Sequence, residues 1–112
     1  MTHEYTLLVG GTVICGAGQP DATAVAWAMS TVLAVGSDEG VHSISRGDSR
    51  VLQLDGAFAL AADGGILEAG ADASLDVYAA DPRTGGGDAT YAQPLARIRG
   101  GRVVAGVLRQ AP

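Results

Sequence analysis

A chain of 112 residues has room for one folded domain and little more. Its 47% apolar content can build a core, while a net charge of −5 with no Lys/Arg cluster argues against nucleic acid or an anionic membrane as partner. The single cysteine, Cys15, rules out an internal disulfide, and no stretch approaches the roughly 20 apolar residues of a membrane-spanning helix.

The start of the chain lacks a basic leader, and the apolar run after Tyr5 breaks at Gly10-Gly11, so the expectation is a cytoplasmic protein without a signal peptide. Much of the apolar content is alanine, and the aromatics are Tyr5, Trp27, Phe58, Tyr78 and Tyr91. Small side chains bury little area each, which predicts modest stability alone or help from self-association.

In chain order, short strands alternate with glycine-rich turns. Tyr5 to Val9 reads as a strand, Gly10-Gly11 as a tight hairpin turn and Thr12 to Cys15 as the return. Gly16 to Asp21 is a loop by composition. In Thr23 to Ala28, Val25 and Trp27 point one way and Ala24, Ala26 and Ala28 the other. Both faces are apolar, so this strand is expected to be covered on both sides, with the alanine face allowing close approach. Met29-Ser30 is the next turn, followed by a strand from Thr31 to Val35 that Gly36 ends.

Ser37-Asp38-Glu39 has the hydroxyl cap and early carboxylates of a helix start, with Val41 and Ile44 facing the core and Gly47 closing the helix. Val51 to Leu54 is a strand with Leu52 and Leu54 on one face, Asp55-Gly56 reads as a hairpin turn, and Ala57 to Ala61 returns. After Asp63-Gly64-Gly65, Ile66 to Gly70 is a short extended or turn segment. Ala73 to Ala79 sets Leu75 and Val77 against Asp76 and Tyr78. Asp81 to Asp88 is a loop, and Leu95 to Arg99, Gly100-Gly101 and Arg102 to Leu108 form a final hairpin. The expected fold is mainly all-β: a small sandwich or partly open barrel of about eight or nine short strands with one short helix.

Two blocks resemble a known family. The run LLVGGTVICGAGQPDATAVAWAMSTVLAVGSDEGVHSISRGDSRVLQLDGAFALAA is similar to the N-terminal segment of the amidohydrolase superfamily, the metal-dependent hydrolases that include imidazolonepropionases, dihydroorotases and related deaminases. GILEAGADASLDVYAADP, followed by LARIRGGRVVAG, resembles that family's C-terminal tail. The resemblance implies that residues 1–62 and 66–112 fold together as one composite-type β-sandwich domain. The family's catalytic barrel, on the order of 250 residues, would stand between about Leu60 and Ile66; here Ala61 to Gly65 joins the two segments. Met29-Ser30 in place of an Asp-Gly turn, Ser74 in place of an Asp, and Asp76 in place of an apolar residue depart from the family pattern.

The family's activity depends on barrel residues: a His-x-His pair, a carboxylated Lys or Glu, further His and an Asp, converging on divalent cations that activate water. This sequence has no His-x-His and no lysine, and its histidines are His3 and His42, so no metal ligand, cofactor or catalytic residue is carried over. Other groupings have plainer readings. Cys15 with His42 would make a nucleophile and base, but a lone cysteine at a strand end reads as a small buried hydrophobe. Gly16-Ala17-Gly18 opens like a dinucleotide loop without its third glycine or helix. Asp63, Glu68 and Asp72 read as solvated carboxylates rather than a cation site, and Gly85-Gly86-Gly87 lacks the Lys-Ser/Thr of a phosphate loop. Arg97, Arg99 and Arg102 read as a solvated edge.

The functional expectation is a structural or protein-interaction module without catalysis of its own, forming a homodimer or docking on a separately encoded barrel protein. Its contact residues would be Phe58, Leu60, Ile66 and Leu67, beside the missing barrel. The alternative is a subunit or remnant of a metal-dependent hydrolase acting on non-peptide carbon–nitrogen bonds.

Overall fold

The computed structural model describes residues 5–16, 18–43, 49–62, 65–79 and 94–110. Two β-sheets face one another across a shared core. The strands are β1 (Tyr5–Val9), β2 (Thr12–Ile14), β3 (Ala24–Ala28), β4 (Thr31–Gly36), β5 (Ser49–Gln53), β6 (Phe58–Ala61), β7 (Leu75–Tyr78), β8 (Ala96–Arg99), β9 (Arg102–Gly106) and β10 (Arg109–Gln110); the helix α1 is Asp38–His42. The first sheet has the order β10-β5-β1-β3-β4 and the second β2-β6-β7-β8-β9. The arrangement is a sandwich, mainly β, with one short helix among the described residues.

The two turns read as hairpins are sheet crossings instead. Gly10-Gly11 carries the chain from β1 in the first sheet to β2 in the second, and Asp55-Gly56 carries it from β5 to β6 in the same direction. β1 pairs with β5 in parallel, Leu8 opposite Leu52, and β2 pairs with β6 in parallel, Val13 opposite Ala59. The two ribbons cross side by side, tied by bonds from Leu54 N–H to the Val9 carbonyl (2.8 Å), Gly56 N–H to Gly10 (2.9 Å) and Thr12 N–H to Ala57 (3.0 Å). The crossing lets Leu8 and Val13 face the same interior from opposite walls, which a hairpin within one sheet would not do. Gly11 is needed for its bareness: a Cβ there would lie 2.4 Å from the Ala57 carbonyl oxygen and 2.6 Å from Leu54 Cβ.

The inter-sheet core takes Leu8, Val25, Trp27 and Leu52 from the first sheet and Val13, Ala59, Leu75, Val77 and Ile98 from the second. The other face of the first sheet is also covered. Ala24 and Ala26, with Leu7 and Val9, pack beneath Val41 of α1, as the two apolar faces of the 24–28 strand predict. Ser37 caps this helix, its Oγ accepting from Gly40 N–H at 3.0 Å. Ile44 and Gly47 lie outside the described residues.

The two halves of the chain meet in the second sheet. β6 pairs antiparallel with β7, from Phe58 opposite Tyr78 to Ala61 opposite Leu75, and Ala62 N–H donates to the Ser74 carbonyl at 3.0 Å. Asp63 and Gly64 lie outside the described residues. Beyond them the chain runs past the ends of both sheets: Leu67 N–H bonds the Cys15 carbonyl (2.9 Å), Gly70 N–H that of Val32 (2.8 Å) and Ala73 N–H that of Ser30 (2.8 Å). The β8–β9 hairpin turns at Gly100-Gly101 with φ of 59° and 83°, the left-handed pair that a two-residue hairpin requires. The predicted strand to Leu108 stops earlier, at Gly106, where a Cβ would fall 2.0 Å from the Leu95 carbonyl oxygen. The chain then returns to the first sheet, where Arg109 pairs with Gln53.

Candidate functional site

β6 alternates strictly. Ala59 and Ala61 enter the core, while Phe58 and Leu60 are half-buried on the outer face. Register places Leu60 between Ile14 and Asp76, and Phe58 between Thr12 and Tyr78. Ile66, just past the join, is 46% exposed. Leu67 differs: it is 3% exposed and belongs to the inter-sheet core, so three of the four expected contact residues border solvent and the fourth is a packing residue. Apolar exposure recurs at the far edge of the same sheet, beyond Asp76 of β7 and Arg97 and Arg99 of β8, with Val104 at 59% on β9 and Val107 at 87% just past it. The charge-free run from Val103 to Leu108 was the sequence signal for this second exposed strip.

The arginines of the final hairpin have separate fates. Arg99 Nη1 pairs with Asp76 Oδ1 at 2.9 Å and also donates to the Ile98 carbonyl at 2.8 Å. Arg97 and Arg102 are exposed.

Cys15 is buried between the sheets, its thiol donating weakly to the Val13 carbonyl at 3.7 Å. Burial pushes the thiol above its ordinary value; a backbone hydrogen bond at Ala22 opposes this and the Asp21 carboxylate adds to it. A thiol held protonated is a poor nucleophile. His42 is exposed on α1, which packs on the opposite face of the first sheet, so the sheet separates the two groups. A groove of about 660 Å³ runs beside Cys15 between Asp21, Val35, Leu67 and Glu68. Among the described residues its charged lining groups are carboxylates, and burial favours the protonated form of its one thiol.

Glu68 is exposed, and the Asp72 carboxylate accepts from the Ser74 hydroxyl. Asp63, His3, Ala17 and Gly85-Gly86-Gly87 lie outside the described residues. Among the described residues, no three His, Cys, Asp or Glu side chains gather where they could hold a metal ion, and no helix is long and apolar enough to cross a membrane. The chain matches no protein-family model, no curated protein and no solved structure.

Proposed function

We propose that this chain is a non-catalytic β-sandwich module of the amidohydrolase composite type, working in the cytoplasm as a structural or protein-interaction element that self-associates. The observation that carries the reading is the apolar surface of the second sheet. Phe58 and Leu60 turn outward at the join, and Ile66, Val104 and Val107 stand exposed at 46%, 59% and 87%. Covering such surface is worth about 25 cal/mol per Å², which favours a partner over solvent. The direct β6–β7 pairing supports the same reading, because it closes the sheet where the family's barrel would enter and leave.

Sedimentation of the purified protein at micromolar concentration tests self-association: a dimer is expected, and a monomer throughout would count against it. Metal analysis tests the other half of the reading. Stoichiometric zinc, iron or manganese would favour the alternative, a subunit or remnant of a metal-dependent hydrolase of non-peptide carbon–nitrogen bonds.

A further inference from the structure

A second cavity, of about 480 Å³, opens where the two halves of the chain meet, beside the β3–β4 and β8–β9 turns. Arg50 of β5 and Arg102 of β9 line it from different sheets. Thr6 and Ser30 add hydroxyls, and Met29, 89% exposed, adds an apolar side chain beside the buried Trp27. Among the described residues no carboxylate lines this cavity, although the chain carries 12 acidic residues against 7 basic ones. Among the described residues, the guanidinium of neither Arg50 nor Arg102 has an ion pair or a hydrogen-bond partner, whereas those of Arg99 and Arg109 are each paired with an aspartate.

We propose that this cavity binds a small phosphorylated molecule, its phosphoryl group between Arg50 and Arg102 and its apolar part against Met29. The donor set decides the ligand class. One guanidinium fork satisfies a planar carboxylate by itself, whereas two guanidiniums from separate strands with two hydroxyls suit the several oxygens of a tetrahedral oxyanion. The turn holds its shape without using those donors: Gly100 N–H goes to Ser74 Oγ (3.1 Å) and Gly101 N–H to the Ala73 carbonyl (2.8 Å). The site is independent of self-association, since both arginines come from one copy.

The test is titration of the ¹⁵N-labelled protein with inorganic phosphate at constant ionic strength, read from backbone amides and the Trp27 indole. The expected result is saturable shifts centred on Arg50, Gly100, Gly101 and Arg102, with acetate at least about tenfold weaker. Arg50→Gln and Arg102→Gln, both at exposed side chains, should each weaken phosphate binding about tenfold or more. Arg97→Gln, which removes the same charge outside the cavity, should leave it unchanged. Absence of saturation, equal binding of acetate, or an equal loss in Arg97→Gln would overturn the assignment.

Discussion

Trp27 donates its indole Nε1–H to the carbonyl oxygen of Gly101 across 3.0 Å, joining residues 74 positions apart. The donor sits in β3 of the first sheet and the acceptor in the turn that closes the second sheet's last hairpin, so one buried side chain ties the two halves of the chain. Gly101 has no room for a side chain there: a Cβ would fall 1.8 Å from the Met29 carbonyl oxygen. Trp27→Phe keeps most of the packing but leaves that carbonyl without its donor, and should lower the unfolding free energy by about 1–3 kcal/mol. Trp27→Ala adds a cavity and should cost about 3–5 kcal/mol. Urea unfolding followed by far-UV circular dichroism measures both.

The crossing at Gly10-Gly11 gives a matched pair of glycine substitutions. Gly11→Ala drives a methyl into the Ala57 carbonyl and Leu54, backbone and core that cannot move aside together, and should destabilise by about 1–3 kcal/mol. Gly36→Ala meets nothing within 4 Å and should be neutral or stabilise by up to about 1 kcal/mol through the unfolded chain. Thermal unfolding of the two variants side by side should show shifts of opposite sign, or one large shift beside a negligible one.

α1 is too short to stand on its own propensity, so its cap matters. Ser37→Ala removes the acceptor for Gly40 N–H and should cost about 1 kcal/mol. Because Val41 covers Leu7, Ala24 and Ala26, the loss should also speed amide exchange in β1 and β3. Exchange unchanged in those strands would mean that the outer layer does not depend on the helix.

Cys15 makes a pH prediction. Its thiol holds its proton to higher pH in the folded chain than in the unfolded one, because burial disfavours the thiolate. Stability from this group is therefore intact below the unfolded thiol value and declines as pH climbs from there toward the raised folded value. Cys15→Ala should remove that alkaline decline from the stability profile. Near pH 8 the folded protein should react with a thiol-specific disulfide reagent more slowly than the urea-unfolded chain.

Local order was largely readable from residue pattern, because alternation and caps are set by near neighbours. The two apolar faces of Ala24 to Ala28, the Ser37 cap and the Gly100-Gly101 hairpin all follow from adjacent residues. Which sheet receives a strand is not set locally. Gly10-Gly11 and Asp55-Gly56 announce positive φ, and Gly10, Asp55 and Gly56 adopt it, but a turn's chemistry does not say whether the chain doubles back or crosses over. The crossing is chosen by the parallel pairing of β1 with β5, which involves residues more than forty positions apart. Leu67 was misplaced for a related reason. Its neighbours suggest an exposed join, and only the Cys15 carbonyl, supplied by a distant strand end, shows that it turns inward. The Arg50–Arg102 cavity could not be seen at all, since its two cations lie on strands of different sheets.

Proton–proton contacts across the join test most directly whether the two halves close as one sandwich. In the folded protein the account predicts cross-strand nuclear Overhauser effects between Ala59 and Val77, together with contacts from the Trp27 indole proton to Gly101, in a single set of resonances. Contacts confined to residues 5–62 and to residues 65–110 separately, with none linking the two, would contradict it.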